Sequence, residues 1–155
     1  MKKIRVLALF ICLILISVSR ITDAGEKIPV NETLPLPDDL MITSPSADVS
    51  KEMAAFSGVW EGKENNYGAK IFLIVEEINS KEAQAIYCRG EVAAAHMPAT
   101  CQRYKAIVTP EEQQIEFGPN EKYRYTFIME NNLNQAKVII NNPGFSDKGI
   151  MNKIK

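Results

Sequence analysis

The chain has 155 residues, 46% of them hydrophobic and 24% charged. That balance excludes collagen-like, long disordered and polytopic membrane architectures, and the length suits a single folded domain. With 18 basic against 19 acidic residues, the formal charge of −1 lacks the basic excess of a nucleic-acid binder.

Residues 1–24 read as an address. Lys2, Lys3 and Arg5 precede an apolar stretch from Val6 to Val18 broken only by Ser17, and small or polar residues then lead to Thr22-Asp23-Ala24. This is the order of a secretory signal peptide cleaved after Ala24. The competing reading is a retained membrane anchor, but the stretch is shorter than the ~20 residues a spanning helix needs. A lipid-anchored form would need a cysteine at the cleavage point, and Cys12 lies mid-stretch instead. Cleavage leaves 14 basic and 18 acidic residues, so the exported chain is mildly acidic. A periplasmic or secreted location is expected, with no nucleic-acid partner and no membrane contact once the signal is removed.

Residues 25–52 carry Pro29, Pro35, Pro37 and Pro45 and no sustained period of 2 or 3.6. Proline removes backbone donors and disfavours helix in the residue before it. An extended linker, or an arm lying on the surface, is expected. Asn31-Glu32-Thr33 matches a glycosylation sequon; the Lys-rich start of the signal is bacterial in style, so the match is read as chance.

Residues 53–155 form the predicted domain. Eight short apolar runs recur between turn-like clusters: 55–62, 69–78, 83–90, 102–109, 114–118, 122–130, 133–140 and 149–154. The sixth alternates most cleanly, with Tyr123, Tyr125, Phe127 and Met129 on one face and Lys122, Arg124, Thr126 and Glu130 on the other. Period 2 with aromatic enrichment is a strand signal. Eight such runs predict an all-β fold, an antiparallel eight-stranded up-and-down barrel, whose closure removes exposed strand edges.

Cys88 and Cys101 remain after cleavage, and an even pair in an oxidising compartment predicts a disulfide; the alternative is two buried thiols. If the two residues face each other, the register also pairs Tyr87 with Gln102 and Ala83 with Ala106. The segment between them is then a long loop, or a short helical turn stopped by Pro98.

Catalytic constellations are sparse. The one histidine, His96, has no Gly-x-Ser-x-Gly elbow to serve. His96, Cys88 and Cys101 match no common zinc spacing. The pairs Glu76-Glu77 and Glu111-Glu112 are adjacent, and strand neighbours point to opposite faces. Phosphate-loop and dinucleotide fingerprints are missing. The expectation is a non-enzyme without metal or cofactor.

The aromatic residues Trp60, Phe72, Tyr87, Tyr104, Tyr123, Tyr125 and Phe127 remain. One reading makes them the lining of a ligand cavity, with tyrosine hydroxyls and Arg89, Arg103 or Arg124 orienting the ligand. The other makes them a solid core, because an eight-stranded barrel can be filled by its own side chains. Arg89 and Arg103, flanking the cysteines, are a candidate basic patch at one rim.

Phe56-Ser57-Gly58-Val59-Trp60-Glu61-Gly62 opens the first run. This Gly-x-Trp element resembles the start of the calycin superfamily, which includes lipocalins, fatty-acid-binding and avidin-like proteins. Val75-Glu76-Glu77-Ile78 followed by Ala85-Ile86-Tyr87 is similar to small calycin-like bacterial domains. The resemblance implies a barrel with an internal cavity. It also implies that Trp60 packs across the closed end against a basic residue near the last strand, for which Lys153 is the candidate. The leading expectation is an exported binding protein for a small apolar or amphipathic ligand. The alternative is a protein–protein module, such as a hydrolase inhibitor, acting through the loop from Glu91 to Thr100.

Overall fold

The alternation of apolar and polar residues along the chain resolves into eight strands in the computed structural model, which describes residues 33–155. The predicted signal peptide and Asn31 of the sequon lie outside the described residues. The strands are β1 (Gly58–Lys63), β2 (Lys70–Ile78), β3 (Glu82–Arg89), β4 (Thr100–Thr109), β5 (Gln114–Asn120), β6 (Tyr123–Met129), β7 (Gln135–Asn142) and β8 (Phe145–Lys153). Each pairs antiparallel with the next, and β1 pairs with β8 through Trp60–Lys153, Glu61–Asn152 and Gly62–Met151, so the barrel is closed. Among the described residues no helix is long and apolar enough to cross a membrane.

The predicted register of β3 on β4 is the observed one. Cys88 lies opposite Cys101 and is disulfide-bonded to it, and Tyr87–Gln102 and Ala83–Ala106 pair as expected. The last strand begins earlier than the sequence reading placed it. Asn142 and Phe145 are paired, so Pro143-Gly144 alone makes the turn, with Gly144 at φ 76°. A two-residue hairpin turn needs such positive φ, which glycine supplies without a side-chain clash.

Alternate residues of every strand point inward. The interior is a single apolar cluster that includes Leu73, Val75, Ala85, Ile115, Phe127 and Val138. Strand β2 changes phase at its end. Val75 pairs with Ala85 but Glu77 pairs with Gln84, so Glu76 is an extra, bulged residue. The bulge sends both Glu76 and Glu77 outward and returns Ile78 to the interior cluster. This corrects the sequence reading that the two glutamates would face opposite ways.

Residues 33–50 are not a free tether. They lie along the outside of β1–β3, where Leu34, Leu36, Leu40 and Ile42 cover Val59, Phe72, Ile74, Ile86 and Cys88. This explains why Ile71 to Val75 is continuously apolar: β2 is buried on both faces. The arm is fastened at the bulge. Thr43 N–H donates to the Glu76 carbonyl at 2.8 Å, and Met41 N–H donates to the Glu76 carboxylate at 3.3 Å. Arg103 bridges Glu76 (Nε–Oε2 2.7 Å) and Asp39 (Nη2–Oδ1 3.0 Å). Its hydrogen bonds hold the Asp39 carboxyl below its ordinary range.

One barrel end is plugged. A single helical turn, α1 (Lys51–Ala54), is capped by Ser50, whose Oγ accepts from Met53 N–H. It delivers Met53 and Phe56 over Trp60, and all three are fully buried. Trp60 Nε1 donates to the Phe56 carbonyl at 2.8 Å. Lys153 Nζ donates to the Ala55 carbonyl at 2.8 Å and lies 5.6 Å from the centre of the Trp60 ring. Burial lowers the Lys153 pKa. Gly58 sits here at φ 114°, and a Cβ on it would fall 2.1 Å from the Lys155 carbonyl oxygen. Only glycine lets the two chain ends of the barrel meet this closely.

Candidate functional site

The opposite end is framed by the β1–β2, β3–β4, β5–β6 and β7–β8 connections and has no such plug among the described residues. Beneath it lies an aromatic cluster. Tyr87 on β3 is 4.5 Å, centre to centre, from Tyr125 on β6. Tyr104 on β4 stacks on Phe117 on β5 at 4.9 Å, and Phe117 stacks on Phe127 at 5.4 Å. Each of these residues is inward by the strand pleat, and strand neighbourhood brings the rings together. Four of the expected aromatic residues therefore meet: Tyr87, Tyr104, Tyr125 and Phe127.

The others lie elsewhere. Trp60 is at the plugged end against Phe56, with ring centres 6.0 Å apart. Tyr123 is on the rim and 40% exposed. Phe72 points outward, under the arm. Phe117 was not among the expected site residues, although it stands two residues beyond Ile115 on the same strand face.

The polar groups of the mouth extend the same inward rows. Arg89 stands two residues beyond Tyr87 on β3, Asn142 two beyond Ile140 on β7, and Glu64 two beyond Gly62 at the end of β1. Asp147 is an inward residue of β8, opposite Ile140, and is buried. Its carboxylate accepts from Asn65 N–H at 2.8 Å and from Asn65 Nδ2 at 3.0 Å. Burial pushes the Asp147 pKa up, but these bonds and the Lys148 backbone N–H outweigh it, and the net direction is down.

Among the described residues, the buried Tyr87 hydroxyl, Arg89 Nε and Asn142 Oδ1 have no partner within hydrogen-bond distance; the Glu64 carboxylate is the acceptor near the Tyr87 hydroxyl. All three belong to the inward rows of the mouth. Burial, with Glu64 and Tyr125 nearby, raises the Tyr87 pKa far beyond the tyrosine range. Burial also raises the pKa values of Tyr125 and Tyr104. Glu64 is raised by burial, with the Arg89 charge opposing, Asp147 adding to the rise and the Tyr87 hydroxyl, which can donate towards the carboxylate, opposing it. The tyrosines are therefore neutral O–H groups at any ordinary pH.

The three arginines do not act together. Arg103 points outward and holds the arm, and Arg124 pairs outward with Glu116 at 3.3 Å. Arg89 alone reaches the mouth. The expected basic patch of Arg89 and Arg103 does not form, because positions 89 and 103 face opposite sides of the wall.

The β3–β4 loop stands at the rim. Its centre is a 3₁₀ turn (Ala93–Ala95) followed by His96 at φ 52°, and it is pinned by a Val92–Met97 bridge. His96 is exposed. Both cysteine sulfurs are consumed by the disulfide, so they are not available with His96 for metal binding. Among the described residues no group of three or more His, Cys, Asp or Glu side chains is placed to hold a metal ion.

Chemically, the mouth offers a neutral tyrosine hydroxyl and a guanidinium N–H as donors, an amide oxygen as acceptor, and aromatic faces below them. No protein-family model, curated protein or solved structure matches this chain.

Proposed function

We infer that this is an exported, non-enzymatic binding protein that takes a small amphipathic molecule at the open end of its barrel. The buried polar atoms of the mouth carry the reading: Arg89 Nε and Asn142 Oδ1 are without a hydrogen-bond partner, and the buried Tyr87 hydroxyl has only the Glu64 carboxylate near it, beyond hydrogen-bond distance. Leaving a buried hydroxyl unpaired costs roughly 1–3 kcal/mol, and such a cost is retained where a ligand group repays it. The aromatic rings below offer an apolar floor, so the ligand rests on the cluster with its polar group among Tyr87, Arg89 and Asn142. This places it nearer the rim than an enclosed calycin-type cavity would. The Cys88–Cys101 disulfide supports an oxidising destination, periplasmic or secreted.

The test is native mass spectrometry of the protein exported through its own signal in a bacterial host, beside Tyr125→Trp. Tyr125 is half-buried in the mouth, and the larger ring narrows it. The expected result is an adduct of constant mass on the wild type and none on the variant. An adduct retained by Tyr125→Trp, or none on either protein, overturns the reading and turns attention to the 91–100 loop as a protein-binding element.

A further inference from the structure

Tyr87 and Arg89 stand on β3, and Asn142 stands on β7. In a closed ring of eight strands these are opposite walls, four strands apart in either direction. The unpaired groups also differ in kind. The β3 wall presents the Arg89 Nε–H, a donor only, and the Tyr87 hydroxyl, which can donate beside it, and the β7 wall presents an acceptor, Asn142 Oδ1. A group lying between them is complementary when it accepts on one side and donates on the other.

Charge narrows the choice. Among the described residues, the charged side chains on the inward rows of the mouth are Glu64 and Asp147 against Arg89. Asp147 is satisfied by Asn65 and by the Lys148 backbone. Two carboxyl groups against one guanidinium disfavour a ligand anion, and an anionic carboxylate has no proton to give Asn142. An ammonium group has no lone pair for the Arg89 Nε–H and would set a second positive charge beside that guanidinium. A neutral carboxamide has both: its oxygen meets the β3 donors and its N–H meets the β7 acceptor.

We propose that the mouth selects a neutral carboxamide or peptide-like head group on an apolar tail, read by Tyr87 and Arg89 on one wall and Asn142 on the other. This rests on the mouth-binding reading given above and names its ligand class. The head group spans the opening, and the tail lies on Tyr125, Tyr104 and Phe117. Selectivity comes from two-sided pairing, because an analogue that lacks either half leaves a buried group unpaired.

The experiment titrates the protein with hexanamide, hexanoate and N,N-dimethylhexanamide, following the side-chain amide resonances of Asn142 by NMR. The dimethyl compound keeps the acceptor and lacks the donor; hexanoate keeps acceptors and adds charge. One hydrogen bond is worth about 2- to 10-fold in affinity. Hexanamide is expected to bind about tenfold more tightly than hexanoate and about fivefold more tightly than the dimethyl amide, and to shift the Asn142 side chain. Tyr87→Phe and Asn142→Ala should each reduce that preference towards equality while the protein stays folded. Tighter binding of hexanoate overturns the carboxamide assignment and leaves the mouth as a binding site. Equal binding of all three also overturns it, showing recognition of the tail alone. If no probe shifts a resonance of the mouth, both the assignment and the mouth-binding reading fall.

Discussion

Replacing Tyr87 by phenylalanine should make the ligand-free protein more stable. The residue is 7% exposed, and its hydroxyl has no partner within hydrogen-bond distance, the Glu64 carboxylate lying near it but beyond that distance. The folded state therefore carries the desolvation cost of an O–H group that water satisfies in the unfolded chain, roughly 1–3 kcal/mol. Phenylalanine removes that cost and keeps the ring, which lies 4.5 Å from Tyr125, 6.3 Å from Phe117 and 6.4 Å from Phe127. The volume lost is one oxygen, so the cavity penalty is small against the gain. A net stabilisation on the order of 1 kcal/mol is expected, and a domain of this size should show it as a rise in Tm of about 3–5 °C. Urea denaturation of ligand-free protein, with an unchanged m-value, measures it directly. Tyr104→Phe is the control. Its hydroxyl donates to the Gln102 side chain at 2.8 Å in an exposed setting, so its removal should change stability little. A Tyr87→Phe variant less stable than wild type would refute the argument, since it would mean that the hydroxyl donates to the neighbouring Glu64 carboxylate strongly enough to offset its burial. The gain in stability should accompany a loss of affinity at the mouth, a combination that a purely structural role does not produce.

Four further outcomes follow from the same structure. Replacing Cys88 and Cys101 by serine should cost about 3 kcal/mol in chemical denaturation, because the bridge closes a loop of 13 residues in the unfolded chain; a loss below about 0.5 kcal/mol would contradict this. Trp60→Ala should cost roughly 3–5 kcal/mol, since it empties a fully buried site and strands the partners of its ring at the plugged end; unfolding curves that overlay the wild type would count against the plug. Arg103→Ala should loosen the arm and expose residues 34–42 to limited proteolysis, because it leaves the Glu76 carboxylate, 6% exposed, without its cation; Asp39→Asn, at an exposed carboxylate, should do so more weakly, and equal resistance of Arg103→Ala and wild type would dismiss the clamp. Asp147 sits below its ordinary pKa of 3.8. Its stabilisation is present above the unfolded carboxylate value and is lost as pH falls through the lower folded value. Asp147→Asn should therefore lower stability near neutral pH by on the order of 1 kcal/mol and flatten the acid limb, and parallel pH profiles for the two proteins would refute it.

The arm and the mouth use opposite faces of the same strand. Along β3, Ile86 and Cys88 face the arm while Tyr87 and Arg89 face the interior. The disulfide ties β3 to β4 on the outer side, at the level where Tyr87 and Arg89 enter the mouth on the inner side. The outer bond and the covering leucines hold the wall that carries the mouth donors. Under the proposed mouth-binding reading, a ligand contacting β3 would meet a wall fastened from behind by covalent and apolar contacts, which would lower the ordering cost of binding.

Local pattern was enough to find the strands. The alternation Tyr123, Tyr125, Phe127, Met129 marked β6 and its inward face, and setting Cys88 opposite Cys101 implied the register of β3 on β4. The count of short runs separated by turn residues was enough for a closed eight-stranded barrel. These features were legible because period 2 and turn chemistry act between residues close in sequence. Tertiary structure decided which face each residue serves. Phe72 looked like a lining residue, yet it lies outside because the arm buries the outer face of β2. Glu76 and Glu77 share a side because a bulge resets the phase. Arg89 and Arg103 separate because the wall passes between them. Asn142 read as part of a turn and proved to be the inward end of β7. Asn142 faces Tyr87 and Arg89 only because closing the ring sets β3 opposite β7. That juxtaposition depends on the whole circuit of strands, so no local spacing in the chain encodes it.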